Sequence, residues 1–181
     1  LNQDENSFLL ESVEGGIKWA QYSILGIDCK EYIKVLGNTV ETFQDNNLDS
    51  YQSEDPLGEI SNLTSKYHSP GIDNLPRFYG GYVGFFAYES SRYAEKKIDS
   101  LQPKESKFKE HMPEIYLVKS DKLIVFDNTD NSIQLVYNVD PSSCSYDEAL
   151  NILESMEEIF LIEKDNQLLD FKKPTGQLEF N

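Results

Sequence analysis

The string SFLLESVEGG carries the residues whose types and spacing best suit recognition of a small ligand. Here an apolar strand ends in Leu10, Glu11 and Ser12, shortly before the Gly15-Gly16 pair. At the end of a strand, a carboxylate and a hydroxyl can hold the ammonium group of an amino acid while leucines line the pocket for its side chain. The alternative interpretation is that Glu11 and Ser12 are solvated residues entering a turn.

Motifs for catalysis are scarce in the rest of the sequence. It contains no GxSxG, no HExxH and no phosphate-binding loop ending in GK[ST], and the glycines of FYGGYVG lack the strand-to-helix setting of a dinucleotide site. Cys29 and Cys144 fit no metal-ligand spacing and are predicted to be reduced thiols, while the isolated His68 and His111 receive no role. The sequence therefore predicts no catalytic residue and no metal ligand in this chain.

The charge of the chain disfavours two classes of partner. Thirty-two acidic residues against sixteen basic ones give a formal net charge of −16, which repels nucleic-acid phosphates and anionic lipid headgroups. No apolar run approaches the roughly 18 to 20 residues that span a bilayer, and the start of the chain lacks a basic region typical of export signals. We expect a cytoplasmic protein that binds neither nucleic acid nor membranes.

Apolar runs separated by turn signals predict antiparallel strands. Four runs in the first third predict a meander, because their connections are too short for parallel crossovers: FLLES, KWAQYSILGI, EYIKVLG and TVETFQ. The polar stretch QDNNLDSYQSED is assigned no strand and ends at Asp55-Pro56, and the aromatic, glycine-rich RFYGGYVGFFAYE is interpreted as a buried strand. Runs on either side of NTDN predict a hairpin rather than a calcium loop, which would need glycine and glutamate at positions this segment lacks.

Two helices have clear start signals. Asp55-Pro56 predicts a helix to about Tyr67. Ser145 with Glu148 forms a capping box that opens an amphipathic helix reaching about residue 160. Between the aromatic run and the hairpin, SSRYAEKK predicts one or two helical turns.

The ordered set of these motifs resembles the N-terminal region of anthranilate synthase component I. The resemblance rests on FLLESVEGG, a W-A-x-Y-S-I-L-G strand, DPL at a helix start, LPRFYGGYVGFFAYE and PEIYLV, and it extends to about residue 160. It implies an α+β fold in which antiparallel sheets pack face to face with helices outside. Residues 1–165 would form the N-terminal regulatory domain, and residues 166–181 a linker into a catalytic domain outside this sequence. The first residue is leucine, so we also expect further sequence before it.

The resemblance further implies a role in tryptophan biosynthesis. In that family the large subunit binds chorismate and Mg²⁺ through its C-terminal region, and a glutamine amidotransferase subunit supplies ammonia. The serine that matches Ser12 contacts the feedback inhibitor tryptophan, so Leu10, Glu11 and Ser12 are the expected inhibitor-binding residues. The segment alone is expected to be inactive, since no position in it matches the residues that bind chorismate or metal.

Two alternatives and one departure accompany this interpretation. The same fold serves aminodeoxychorismate synthase component I, and the lack of catalytic residues also suits a stand-alone amino-acid-binding module. Members of the family commonly have arginine before the Tyr-Ser of the second strand, where this chain has Gln21. The exchange removes a cation that could pair with Glu11.

Overall fold

A computed structural model describes residues 6–11, 21–72, 75–95, 97 and 112–161. The strands in these ranges are β1 (Asn6–Glu11), β2 (Tyr22–Cys29), β3 (Tyr32–Leu36), β4 (Thr39–Gln44), β5 (Asn47–Gln52), β6 (Gly81–Phe86), β7 (Ile115–Ser120), β8 (Lys122–Asp127) and β9 (Ser132–Tyr137). The helices are α1 (Pro56–Thr64), a 3-10 turn (Tyr88–Ser90) that leads into α2 (Ser91–Ala94), and α3 (Tyr146–Leu161). Ser12 and the predicted linker 166–181 lie outside the described residues.

The strands form two antiparallel sheets, as the predicted α+β class requires. Sheet A has the order β1-β2-β8-β9, and sheet B has the order β5-β4-β3-β7-β6. The predicted continuous meander is divided between them, because β2 pairs with β1 and β8 and leaves β3 to pair with β4 and β7. The polar stretch QDNNLDSYQSED, to which the sequence assigned no strand, contains β5. As an edge strand with mostly exposed side chains, β5 has no apolar pattern to reveal it.

A long two-stranded ribbon joins the two sheets. Its β2–β8 half belongs to sheet A, its β3–β7 half belongs to sheet B, and the backbone N–H of Lys119 donates to the Glu31 carbonyl between them at 2.8 Å. Asp28 has a positive φ of 55° at this point, a conformation that short polar residues tolerate better than branched ones. The ribbon therefore changes sheets here by a local irregularity, as strands do at the corners of packed sheets.

Ion pairs connect the strands at this corner. Lys119 Nζ lies 3.2 Å from a carboxylate oxygen of Glu31 and 3.2 Å from one of Asp121. Burial alone would lower the pKa of Lys119, but the two carboxylates outweigh it and hold the pKa above its usual value. For Asp121 the balance is reversed, because burial raises the pKa of its carboxyl more than Lys119 lowers it. A second group joins Lys122 and Lys30 to Asp28.

Each sheet has its own hydrophobic cluster. In sheet B, the buried residues Ile33, Val35, Val40, Ile115 and Leu117 pack with Ile60 of α1. In sheet A, the buried residues Ile24, Leu123 and Val125 pack with Phe8, Tyr22, Phe78 and Val136. The sheets contact each other where β2 meets β7, and α3 lies beside β9.

The predicted helix starts are confirmed. Asp55 Oδ1 accepts the Gly58 N–H at 3.0 Å, which satisfies one of the free donors at the start of α1. That helix ends at Thr64, three residues earlier than the predicted Tyr67. In the capping box, Glu148 Oε2 accepts the Ser145 N–H at 2.8 Å, and Ser145 Oγ accepts the Glu148 N–H at 3.3 Å.

The interpretation of RFYGGYVGFFAYE as a buried strand was wrong. Its strand, β6, is the edge of sheet B, and both Phe85 and Phe86 are exposed. A close backbone approach, which its glycines also predicted, is present: a Cβ on Gly84 would lie 1.9 Å from the Tyr116 carbonyl oxygen. The hairpin prediction is confirmed, with Asn131 at φ 55° in the turn between β8 and β9.

Replacing Lys119 with methionine should lower the free energy of unfolding by about 2 kcal/mol, because it leaves two partly buried carboxylates without their shared cation. The matched control is Lys30→Met, whose side chain is 57% exposed, and its effect should stay within about 0.5 kcal/mol. Urea unfolding of both variants measures the difference. Equal losses would contradict the role given to Lys119 at the corner.

Candidate functional site

Two of the three predicted ligand-binding residues, Leu10 and Glu11, lie on an edge strand. β1 is the edge of sheet A and pairs only with β2 among the described residues. Leu9 and Leu10 are 54% and 42% exposed, and Glu11 is also exposed. Apolar side chains left uncovered on an edge strand suit contact with a ligand or with another part of a protein.

Leu10 and Glu11 point to opposite faces of sheet A. Leu10 is opposite Ile24, a member of the hydrophobic cluster, so it shares the face on which that cluster lies. Glu11 is opposite Ser23 and shares the other face with Leu9. The structure thus brings Leu9 and Glu11 to one face, and a ligand that touches both Leu10 and Glu11 must reach around the edge of β1.

Polar groups surround this end of the sheet. Next to Glu11, Ser23 Oγ accepts from Asn128 Nδ2 at 3.4 Å, and the Asn128 backbone N–H donates to the Gln21 carbonyl at 2.7 Å. The ends of β1, β2 and β8 therefore meet in a region rich in hydroxyl, amide and carboxylate groups. Such a region can hydrogen-bond the ammonium and carboxylate groups of a small polar ligand.

Gln21 contacts a residue other than the one expected. Its Nε2 donates to Asp127 Oδ2 at 3.0 Å and to the Tyr22 hydroxyl at 2.9 Å, which places the amide on the β8 side of β2, away from β1. The Thr129 backbone N–H, which donates to Asp127 Oδ1 at 2.8 Å, and then Gln21 hold the pKa of Asp127 below its usual value. A cation at position 21 in this geometry would face Asp127.

A separate cleft of about 1020 Å³ opens at the corner between the sheets. Its walls include the Lys119 ion pairs and a set of tyrosines, and no residue of β1 lines it. The Lys119 ammonium lies 4.3 Å from the centre of the Tyr67 ring, an arrangement that stabilises a cation. Sequence reasoning missed these residues. The available signal was the complementary charge of CKEY and KSDK, two segments that lie where the ribbon changes sheets.

The cysteines and histidines to which the sequence assigned no role lie at the following places. Cys29 is buried, and burial raises the pKa of its thiol to about 11; Cys144 and His68 line the cleft. His111 lies outside the described residues. In the part of the chain that the structure describes, no group of three or more histidine, cysteine or acidic side chains could hold a metal ion. Nor is any helix there long and apolar enough to cross a membrane.

Comparison with known proteins gives consistent matches. Anthranilate synthase component 1 of Pseudomonas putida is 37% identical over 143 residues, which cover 78% of this chain and 28% of that protein. The protein of the same name from Neisseria meningitidis serogroup B is 34% identical over 151 residues, covering 83% of this chain and 31% of that protein. The chain is related to the N-terminal region of anthranilate synthase component 1. It spans less than a third of the length of these relatives.

A solved structure has a fold similar to that of the present chain. The crystal structure of anthranilate synthase component I from Streptococcus pneumoniae TIGR4 matches with a TM-score of 0.60, covering 85% of this chain and 32% of that chain. At 22% sequence identity this match supports the fold alone. No protein-family model matches the chain.

Gln21→Met should raise the pKa of Asp127 part of the way to its usual value, because the Thr129 N–H still donates to the carboxylate. A lowered pKa contributes stability that is present above the unfolded value of about 3.9 and is lost as the pH falls through the folded value. The variant should therefore unfold in acid at a higher pH than the parent protein. NMR titration of the Asp127 carboxyl carbon measures the shift.

Gln44→Met is the control, since Gln44 Nε2 donates to the Tyr82 hydroxyl in sheet B at 3.3 Å. This variant should leave the pKa of Asp127 unchanged. An unchanged Asp127 pKa in Gln21→Met would refute the contact.

Proposed function

We propose that this chain is the N-terminal, tryptophan-sensing part of an anthranilate synthase large subunit. The observation that carries the proposal is the match of most of the chain to component 1 of that enzyme from several bacteria, at 34 to 37% identity. The open end of β1 supports the sensing role, because it presents exposed leucines and a carboxylate where the family resemblance places the inhibitor. Leu10, Glu11 and Ser12 are the residues proposed to contact tryptophan.

The chemistry of the complete enzyme is assigned to the part outside this chain. That reaction adds ammonia to the chorismate ring with loss of the ring hydroxyl as water and then eliminates pyruvate to give anthranilate, in the pathway to tryptophan. A glutamine amidotransferase subunit would supply the ammonia, and Mg²⁺ would bind the chorismate. The described residues do not fit a Mg²⁺ site, since no cluster of carboxylates converges in them, so no step of the reaction is placed here. We place the enzyme in the cytoplasm.

Feedback control would follow from differential binding. An inhibitor that binds one arrangement of the protein more tightly shifts the population toward that arrangement by its difference in affinity. An ammonium group near Glu11 and an indole ring against exposed leucines would give tryptophan both ionic and apolar contacts at the end of β1. These contacts exist only when β1 is ordered, so binding would couple the strand to the rest of the enzyme.

The complete protein that contains this segment should form anthranilate from chorismate and ammonia, and the purified 181-residue segment should not. Anthranilate fluorescence measures both reactions, with chromatography of the products as the check. Formation of aminodeoxychorismate in place of anthranilate would assign the chain to the related folate enzyme. Activity of the segment alone would overturn the assignment of the chemistry to the missing part.

Ser12→Phe in the complete enzyme should weaken tryptophan inhibition roughly ten- to hundred-fold, through loss of a hydrogen bond to a charged ligand. Turnover without tryptophan should be retained, because the chorismate site is assigned to the part of the enzyme outside this chain, and tryptophan that no longer binds cannot shift the conformational population. Ser7→Phe, the same exchange at an exposed position of β1, is the control and should leave inhibition unchanged. An inhibition curve for Ser12→Phe that overlays the parent curve would mean that tryptophan binds elsewhere.

A further inference from the structure

The edge strand β6 presents an open row of backbone hydrogen-bonding groups. The Ala87 N–H donates to the Glu114 carbonyl at 2.7 Å, which continues the β6–β7 ladder and fixes its alternation. That alternation turns the N–H and C=O groups of Tyr82, Gly84 and Phe86 away from β7. No strand pairs with this side of β6 among the described residues.

Large apolar side chains are concentrated at the end of the same strand. Phe85 and Phe86, which point to opposite faces of sheet B, are 39% and 54% exposed. Tyr88 and Met112, in the segments that follow β6 and precede β7, are 88% and 67% exposed. In the described ranges, this corner of the sheet therefore has an unpaired edge and an exposed phenylalanine on each face, which is unusual for a surface that stays in water.

The opposite edge of sheet B is built differently. β5 has the sequence NLDSYQ, in which Asp49 supplies a charge and Leu48 is the one large aliphatic side chain. β6 has the sequence GYVGFF and carries no charge at all. Charged residues on an edge strand prevent unwanted pairing, so β5 is protected against it and β6 is not.

The end of β6 is also held in position. Glu114, which accepts from Ala87, is buried and receives a hydrogen bond from Arg92 Nη2 at 2.7 Å, and its carboxylate also contacts the Tyr93 hydroxyl. Ser90 Oγ donates to the Ala87 carbonyl at 2.6 Å. A strand fixed in this way loses little conformational entropy when a partner adds to it.

We propose that β6, with Phe85, Phe86, Tyr88 and Met112, is the surface that receives an extended apolar segment from the remaining part of the large subunit. The inference rests on the proposed function, and it names the contact through which sheet B joins that part. The relatives are more than three times as long as the stretch matched here, so under the proposed function the complete protein has a large remaining part that is available to contact this domain. A second copy of the chain is disfavoured as the occupant, because two chains of net charge −16 repel each other. The segment adds a strand to the edge through backbone hydrogen bonds, with apolar side chains against both phenylalanines.

Hydrogen exchange tests the proposal without any substitution. In the 181-residue chain the amides of Tyr82, Gly84 and Phe86 should exchange quickly, and in the complete protein they should exchange on the order of 100-fold more slowly. Equal exchange rates in the two proteins would overturn the proposal. Slow exchange in the short chain together with a dimeric mass would also overturn it and would assign the edge to a second copy.

A pair of variants tests the apolar contact. Phe86→Lys should leave the melting temperature of the short chain unchanged, because the side chain is already exposed there, and should lose at least about ten-fold of the amide protection in the complete protein. Leu48 is 59% exposed on the opposite edge. Leu48→Lys should therefore change neither the melting temperature of the short chain nor the amide protection of β6 in the complete protein. Equal effects of the two variants in the complete protein would overturn the assignment to β6. Anthranilate formation by the parent protein is measured separately. Protected amides without this activity would refute the proposed function and support the strand contact. Activity without protected amides would support the proposed function and refute the strand contact.

Discussion

The ribbon that passes from one sheet to the other is the constraint on which this structure depends. Two strand pairs, β2–β8 and β3–β7, follow each other along one two-stranded ribbon, yet they belong to separate sheets with separate hydrophobic clusters. Asp28 absorbs the irregularity in the backbone, and Lys119 gathers Glu31 and Asp121 from the two sides of the joint. A partly buried ion pair of this kind contributes little net stability compared with apolar packing, but it specifies how the strands meet.

Two sheets have four edge strands, and these edges differ in whether they are covered or charged. α3 lies beside β9, and Asp49 supplies a charge on β5. Within the described structure, one edge of each sheet is therefore protected against pairing with another strand. The other two edges, β1 and β6, end in exposed leucines and phenylalanines. These two edges carry the two proposals, tryptophan at β1 and the rest of the enzyme at β6. A domain that binds an inhibitor at one edge and the rest of the enzyme at another could couple the two through the ribbon between them.

Local signals in the sequence predicted the elements better than their arrangement. The caps at Asp55 and Ser145 and the turn before β9 depend on a few adjacent residues, and they were found. More than one sheet was expected, but which strands belong to which sheet was missed, because the short connection at Lys30 and Glu31 is equally compatible with a hairpin. The choice depends on β7 and β8, which lie far along the chain. Aromatic composition wrongly predicted burial for β6, since composition cannot show whether a strand lies at an edge. At the candidate site, the strand itself was predicted, while the contact of Gln21 with Asp127 needed the position of β8.

The central claim is that tryptophan is sensed at the end of β1 and not in the cleft at the corner between the sheets. Hydrogen exchange of the complete protein with and without tryptophan tests it most directly, because the two places share no residue. The account predicts that tryptophan slows exchange of the amides of residues 8–11 and leaves those around Tyr67, which lines the cleft and lies outside β6, unchanged. Slower exchange at the cleft, with β1 unaffected, would contradict it.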